Sequence, residues 1–295
     1  MPSSDVLVSV CLPVRNGASS IERVVRSVLA QDHRNLELVI SDNASVDGTE
    51  DLCRKLARDD DRIVYIRQAE NIGLLNNFQA AMQRSRGKFF RWVGDDDWLA
   101  PNCLSRCLEA FESDARLILV TMGVEFIGTD GISRTAEYTS RTLASDDPIE
   151  RLGEILRLLN ESYLLIDPLY ALMRRAAVES IPRRNMFRED QVFAVKLALA
   201  GPWGHVGEIL GRRGWRAENR TQQARRLGVP VWTARVANTF QGLETLRWIN
   251  NANLDVDQRR RARAALHQWY IRRQLLTMAG RGRRLARLIR FAPGP

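Results

Sequence analysis

The stretch Lys88-Phe-Phe-Arg-Trp-Val-Gly-Asp-Asp-Asp97 joins a short apolar run to a glycine and three consecutive aspartates. An apolar run of this length, bounded by turn residues, is typical of a strand buried on both faces of a sheet. Three runs of the same kind precede it, at Val6–Val14, Leu36–Ser41 and Arg62–Arg67. The segments between them have helical periodicity. This alternation predicts a parallel, doubly wound α/β sheet flanked by helices.

Polar residues follow three of the four runs. They are Arg15-Asn16 after the first run, Asp42–Gly48 after the second and Asp95–Asp97 after the fourth. In an open parallel sheet the ligand crevice lies beyond the carboxyl ends of the strands. We therefore expect these three loops to line one crevice.

The rest of the chain is predicted to be mostly helical. A helix that begins at Pro101 leads to a fifth strand at Arg116–Met122, after which the pattern loosens. Further helices are expected at Ile149–Leu159, Ala176–Ser180, Glu189–Ala200, Trp232–Asn251 and Val256–Met278, followed by a last short Arg-rich helix. This organisation divides the chain into residues 1–121, 122–230 and 231–295.

Composition excludes several classes of protein. With 295 residues, 45% hydrophobic and 27% charged, the chain falls in the globular range rather than the disordered one. Its longest apolar run, Val6–Val14, is far shorter than a membrane span. The N-terminal Met-Pro-Ser-Ser-Asp has no basic region of the kind that opens a signal peptide. We therefore expect a cytoplasmic protein.

Cysteines and histidines are few and scattered. The four cysteines show no C-x-x-C spacing, and no histidine lies near the pair Cys103 and Cys107. This pattern favours buried, reduced thiols over a zinc site. Three separated histidines also leave little material for a Ser-His-Asp hydrolase.

The positive charge belongs to the tail. Residues 256–295 carry a net charge of +10, whereas residues 1–255 carry −1. The tail also contains apolar residues, namely Trp269, Leu285, Leu288, Ile289 and Phe291. This mixture predicts an amphipathic helix on an anionic membrane surface, hence peripheral attachment at the inner face of the membrane. A packed helix with a solvated basic face, or an oligomer contact, is the alternative.

Two of the loops offer groups that bind ligands. Three adjacent carboxylates at Asp95, Asp96 and Asp97 repel one another unless a cation neutralises them, and oxygen ligands suit Mg²⁺ or Mn²⁺. The alternative is a solvated acidic turn before the helix at Pro101. The loop Asp42–Thr49 provides carboxylate, amide and hydroxyl groups that hydrogen-bond a base or ribose, or that form an Asx turn and a helix cap.

Five motifs occur in a characteristic order. They are Val8-Ser-Val-Cys-Leu-Pro-Val-Arg-Asn16, Ser27-Val-Leu-Ala-Gln31, Asp42-Asn-Ala-Ser-Val-Asp-Gly-Thr49, Glu70-Asn-Ile-Gly73 and Gly94-Asp-Asp-Asp-Trp-Leu-Ala-Pro101. Together they resemble the nucleotide-sugar domain of family 2 glycosyltransferases, inverting enzymes of the GT-A fold. The resemblance covers residues 6–111. It weakens over residues 122–230 and is absent from the helical C-terminal extension.

The resemblance implies donor-site roles. In that family the first loop lines the nucleotide pocket, the second faces the base, and an acidic D-x-D region binds the metal. Carried over to this chain, the nucleotide-sugar residues are Pro13, Arg15, Asn16, Asp42, Asn43, Asn71, Asn77 and Asp95. Asp96 is the first metal candidate, with Asp97 and Asp95 beside it, and the implied cofactor is Mg²⁺ or Mn²⁺.

The resemblance also implies a catalytic carboxylate. Arg188-Glu-Asp-Gln191 resembles the family's acidic signature at the start of a helix, so Asp190 is the expected base and Glu189 the alternative. Both acids are also suited to capping a helix N-terminus. Arg213 and Arg216 fall in the segment where the family has an Arg- or His-containing loop that contacts the diphosphate, although a solvated basic loop is the alternative.

The implied function is transfer of a sugar from a UDP-, dTDP- or GDP-sugar to a saccharide or lipid-linked acceptor. Residues 1–121 would form the donor half of the GT-A domain and residues 122–230 the acceptor half. A sugar nucleotidyltransferase is an alternative, although it would need a Gly-rich loop where Leu12–Gly17 stands. A nucleic-acid-binding protein acting through the Arg-rich tail is another, but no nucleic acid is expected as a partner because the first 255 residues carry no such motif.

Overall fold

The four apolar runs form adjacent strands of one sheet. The computed structural model describes residues 5–161, 166–214 and 218–290, with side chains through residue 279. Its strands are β1 Val8–Val14, β2 Leu36–Asp42, β3 Ile63–Arg67, β4 Phe89–Trp92, β5 Trp98–Leu99, β6 Leu119–Ile127, β7 Ser133–Arg134, β8 Leu172–Arg174 and β9 Trp203–Gly214. Strands β3, β2, β1 and β4 lie side by side in this order and are parallel, which confirms the predicted doubly wound half.

Helices cover both faces of the sheet. They are α1 Ile21–Leu29, α2 Thr49–Asp59, α3 Leu74–Arg84, α4 Cys103–Ser113, α5 Pro148–Glu161, α6 Arg175–Val178, α7 Glu189–Ala200, α8 Arg220–Leu227, α9 Ala237–Asn251 and α10 Val256–Arg290. Along β1, Val10 and Leu12 pack into one core and Cys11 into the other, as expected for a strand buried on both faces. In the described part of the chain, no helix is long and apolar enough to cross a membrane.

The second half of the sheet differs from the prediction. The fifth strand is β6, which begins at Leu119 rather than Arg116, because the Arg116 backbone N–H donates to Asp114 Oδ1 in a turn. It continues to Ile127 because β9 pairs with it in parallel over its whole length. Strand β8 joins β6 to β4 in antiparallel orientation.

Strand β9 was not predicted, because its glycines and polar residues give no alternating pattern. Arg213, expected in a loop, instead lies on β9, directly before the last residue of that strand. Close backbone approach makes the pairing possible. A Cβ on Gly123 would lie 2.7 Å from the Glu208 carbonyl oxygen, and one on Gly211 would lie 2.8 Å from the Met122 side chain.

The C-terminal region corrects two further expectations. Helix α10 continues to Arg290 instead of ending near Met278, because a glycine costs a helix about 1 kcal/mol without removing a hydrogen bond. Trp269, expected on a lipid-binding face, is only 4% exposed and belongs to the core under α5 and α7. Trp269 therefore cannot form part of a lipid-binding face.

The core around β4 contains a buried cation. Arg91 is 1% exposed, and its Nη1 atom lies 2.9 Å from Cys103 Sγ. A buried guanidinium requires an anionic or strongly polar partner. The hydrogen bond from Cys107 and the positive charge of Arg91 lower the pKa of the Cys103 thiol from 9.0 to about 7. With this lowered pKa, Cys103 becomes a thiolate partner for the Arg91 guanidinium as the pH rises through about 7.

We predict that Cys103→Ala lowers the free energy of unfolding at pH 9 by about 3–5 kcal/mol, because it leaves the Arg91 charge buried without its partner. The matched control Cys53→Ala removes an equally buried thiol and should cost only about 1–2 kcal/mol. Because folding lowers the pKa of Cys103, its stabilisation is complete above the unfolded-state pKa and is lost as the pH falls through about 7. Urea unfolding at pH 6.5 and pH 9 measures this, and equal costs for the two variants at both pH values would contradict it.

Candidate active site

The crevice is built from the loops at the carboxyl ends of β1, β2 and β4. Asn16 follows β1 in a left-handed backbone conformation with φ 56°. Its backbone N–H donates to Ser45 Oγ at 2.9 Å, and its Oδ1 accepts from the Val46 N–H at 2.9 Å. Pro13 is buried within β1, whereas Arg15 is exposed. The first two loops are thus tied together, with Arg15 at the solvent edge.

Asp42 ends β2 and is fully buried. Its Oδ2 accepts from Tyr65 Oη at 2.8 Å and from Arg67 Nη1 at 3.2 Å, and its Oδ1 accepts from the Ser45 N–H at 2.9 Å. Burial and the adjacent Asp42 carboxylate raise the pKa of Tyr65, which therefore stays a donor. Asp42 thus holds β3 and the second loop in place beneath the crevice.

Three asparagines join β2 to the start of α3. Asn43 Nδ2 donates to Asn71 Oδ1 at 2.8 Å, and Asn43 Oδ1 accepts from the Ile72 N–H at 2.8 Å. Asn77, only 3% exposed, accepts from Ser41 Oγ at 2.7 Å and donates to the Ser41 carbonyl at 2.8 Å. These amide side chains therefore tie the end of β2 to the start of α3.

The carboxylates of Asp95 and Asp96 face different neighbours. A Cβ added to Gly17 would lie 3.1 Å from Asp95 Oδ2, so this carboxylate lies beside the first loop. A Cβ added to Gly214 would lie 3.3 Å from Asp96 Oδ2, so this one lies beside the end of β9. The glycines leave room for both carboxylates.

Asp97 turns into the protein instead. It is 4% exposed, its Oδ2 accepts from the Gly94 N–H at 2.7 Å, and its Oδ1 lies 3.3 Å from Arg213 Nε. Burial raises its pKa, and Arg213 opposes that rise. Within the described ranges, no group of three His, Cys, Asp or Glu side chains is placed to hold a metal ion. Successive residues of this turn thus project in different directions, and the Asp97 carboxylate faces the Gly94 N–H and Arg213.

Arg213 connects this loop to the segment that precedes β8. Its guanidinium pairs with Asp97 on one side and Asp167 on the other, and it lies 3.7 Å from the ring centroid of Tyr170. Sequence reasoning missed Asp167 and Tyr170, because Asp167 precedes a proline and reads as an ordinary turn. Arg216, the other arginine expected at the diphosphate, lies outside the described residues.

Glu189 begins α7 and is held by Arg183. The two side chains form a bidentate ion pair, with Nε–Oε1 at 2.5 Å and Nη2–Oε2 at 2.7 Å. The guanidinium lies 5.0–5.3 Å from the ring centroids of Phe78, Trp92 and Phe193. Each partner is less than 10% exposed. Glu189 is thus a structural anion as well as a helix N-terminal acid.

Asp190 is the next residue and is exposed to solvent, although many protein atoms surround its carboxyl group. Partial desolvation there, and the negative charges of Asp167 and Glu189, raise its pKa to about 6. Arg188 precedes the helix in a left-handed conformation with φ 65°, which turns the chain into α7. The carboxyl group of Asp190 can therefore accept a proton near neutral pH, and Asp167 acts on both Asp190 and Arg213.

Solved structures share this fold. Staphylococcus aureus TarS 1–349 in complex with UDP-GlcNAc aligns with a TM-score of 0.64 and 16% identity, over 89% of this chain and 72% of that one. A mannosyltransferase from Pyrobaculum calidifontis, PcManGT, in complex with GDP-Man and Mn²⁺, aligns with a TM-score of 0.52 and 16% identity, over 92% and 79%. These similarities confirm the predicted GT-A fold.

Curated relatives are similar to part of the chain. The putative teichuronic acid biosynthesis glycosyltransferase TuaG of Bacillus subtilis is 32% identical over 42% of this chain and 49% of its own length. The GalNAc(5)-diNAcBac-PP-undecaprenol beta-1,3-glucosyltransferase of Campylobacter jejuni is 32% identical over 48% and 45%. The chain thus matches less than half the length of these relatives. The family described as glycosyl transferase family 2 matches residues 9–181, more than half of the chain, and the chain belongs to that family.

Proposed function

We propose that this chain is an inverting glycosyltransferase that moves a sugar from a nucleotide-diphosphate sugar to an acceptor hydroxyl in a single displacement. The observation that carries the proposal is the position of Asp167. Its carboxylate pairs with Arg213 beside the aspartate loop, and its negative charge acts on Asp190. Asp167 is therefore a neighbour both of Arg213, beside the loop proposed to bind the diphosphate, and of Asp190, the proposed base.

The donor would bind against the loops that follow β1, β2 and β4. Their polar side chains are already tied to one another, so the crevice is preorganised. Arg15 stands at its open edge. The nucleotide sugars named with the similar structures, UDP-GlcNAc and GDP-Man, support a UDP-, dTDP- or GDP-sugar as the donor class.

A divalent cation, Mg²⁺ or Mn²⁺, would be held by Asp96, with Asp95 as its neighbour and with oxygens of the donor diphosphate. The residues fit such an ion, because Mg²⁺ is commonly bound by one or two carboxylates together with substrate phosphates. When bound, it would stabilise the negative charge of the departing nucleoside diphosphate. Arg213, held by Asp97 and Asp167, would add positive charge on the same side. The Mn²⁺ named with PcManGT supports this assignment.

Asp190 would act as the base. It would accept the proton of the acceptor hydroxyl as the oxygen attacks the anomeric carbon. Its accessible carboxyl group and raised pKa suit this role. Glu189 is less suited, because both of its carboxylate oxygens are engaged by Arg183 and its side chain is buried.

The acceptor would be a saccharide or a lipid-linked glycan. The names of the relatives from B. subtilis and C. jejuni, which mention teichuronic acid and an undecaprenol-linked glycan, support a cell-surface polymer or its precursor.

The donor site predicts stabilisation by one nucleoside diphosphate that depends on metal. At a hundred times its dissociation constant, the ligand should add about 2.7 kcal/mol to the free energy of unfolding, seen as a rise in melting temperature with Mn²⁺. Asp96→Asn should abolish the metal-dependent part, whereas Asp59→Asn, an exposed acid at the end of α2, should retain it. An unchanged metal-dependent shift in Asp96→Asn would refute the metal assignment.

The base assignment predicts a loss of transfer without a loss of fold. Asp190→Asn should lower the rate of sugar transfer by about 10²–10⁴, the usual contribution of a general base, with little change in melting temperature. Glu189→Gln should show the opposite pattern, a lower melting temperature and a smaller loss of rate, because it breaks a buried ion pair. If Asp190→Asn retained full activity and Glu189→Gln lost it, the two roles would be exchanged.

The charge of Asp167 predicts a shift in pH dependence. The transfer rate should rise with pH through about 6 as Asp190 loses its proton. A neighbouring anion raises the pKa of a carboxyl group, so Asp167→Asn should lower the pKa of Asp190 and move the acid limb of the profile to lower pH. A pH–rate profile with saturating donor measures the shift, and a limb that stays in place would show that Asp167 acts only on Arg213.

A further inference from the structure

The exposed apolar side chains are concentrated in one region. Among the described residues, fourteen large apolar side chains are exposed, and ten of them lie between Val231 and Met278. Scattered exposed apolar residues are normal in any protein, but a concentration of this kind marks an interaction surface. The region consists of the short 3₁₀ helix Val231–Val236 and the helices α9 and α10.

Helices α9 and α10 pack as an antiparallel pair whose contact line is well defined. Thr239 Oγ1 lies 3.1 Å from Tyr270 Oη, and a Cβ on Gly242 would lie 3.2 Å from the Tyr270 ring. The residues that precede the contact, Gln241 and Trp269, are 1% and 4% exposed and face the core. In an antiparallel pair of helices, the residues one position after the contact on each helix project to the same side of the pair. That side is opposite to the one on which the residues one position before the contact lie.

Two apolar stripes lie on this outer side. Leu243 and Ile271, the residues that follow the contact, are 58% and 47% exposed. Each belongs to a stripe with the spacing i, i+4, i+7 of one helix face. The first stripe is Val236, the last residue of the 3₁₀ helix, with Phe240 and Leu243 on α9. The second stripe is Ile271, Leu275 and Met278 on α10. Trp232, 59% exposed, lies 6.1 Å from Phe240 between ring centroids and extends the first stripe.

We propose that these seven side chains, the helix-pair surface, bind the interface of an anionic lipid membrane. The charge around them determines this choice of partner. Arg235, Arg247 and Arg272 are exposed near the stripes. In the sequence, residues 256–295 carry a net charge of +10. An apolar face bordered by arginines matches an anionic bilayer, whose acyl boundary takes the apolar groups and whose headgroups attract the cations.

The same charge argues against the other occupants. A second copy of this chain would bring two segments with a net charge of +10 together, which is repulsive. A nucleic acid would pair with the arginines but leave Phe240, Leu243 and Leu275 in water. The surface does not include the proposed active-site residues, so the inference is independent of the proposed function.

Vesicle sedimentation of the full chain tests the proposal. The protein should sediment with phosphatidylcholine vesicles that contain phosphatidylglycerol, less with phosphatidylcholine alone, and less at high salt. The double variant Leu243→Glu/Leu275→Glu should bind at least about tenfold more weakly, because it places charge where apolar groups would enter the lipid. Ile132→Glu, an equally exposed apolar residue at a distance, is the matched control and should bind like the parent.

Tryptophan fluorescence gives a second readout. Trp232 is the exposed tryptophan of the described residues, so anionic vesicles should shift the emission to the blue, and Trp232→Phe should abolish the shift. Melting temperatures should stay unchanged in all variants, because the side chains are exposed. The proposal is overturned if no vesicles bind, or if the double variant binds as well as the parent. It is equally overturned if the parent is a dimer that the double variant dissociates, or if RNA binds instead of vesicles.

Discussion

The site depends on the two ion pairs that Arg213 forms. Its guanidinium lies between the carboxylates of Asp97, in the loop after β4, and Asp167, in the segment before β8. Ion pairs exposed to water contribute little, but this one is largely enclosed, and Tyr170 packs against the guanidinium. Removing one partner from such a group leaves an uncompensated charge, so the three residues hold one another in place. The aspartate loop and the segment before β8 are thereby tied together by one cation.

The sheet brings Arg213 to that position. Strand β9 pairs with β6 in parallel and with β5 in antiparallel orientation, so its last residues lie beside the aspartate loop. Glycines allow the strands to approach closely at the irregular pairing of β6 with β9. The long strand therefore has two functions: it closes the sheet and it delivers a basic side chain to the crevice.

Two buried arginines show how charge is accommodated elsewhere. Arg91 pairs with sulfur in the core, whereas Arg183 pairs with Glu189 inside a ring of aromatic side chains. The second pair fixes the start of α7, next to the proposed base. The two adjacent acids therefore have different environments. Glu189 is buried in an ion pair with Arg183, whereas Asp190 is exposed to solvent.

The local pattern of the sequence determined the parallel half of the sheet, because each buried strand there is a continuous apolar run followed by turn residues. The motifs in that half also identified the family and the loops of the crevice.

Only the tertiary structure decided the rest. Strand β9 has no apolar alternation and forms because β6 offers it a partner. Asp167 has no local signal, since its importance comes from Arg213, distant in sequence. Trp269 looked like part of a surface helix, yet packing against α5 and α7 buries it, and the exposed apolar face lies on the other side of the α9–α10 pair. Sequence periodicity shows that a helix has an apolar face, but only packing decides which face the protein covers.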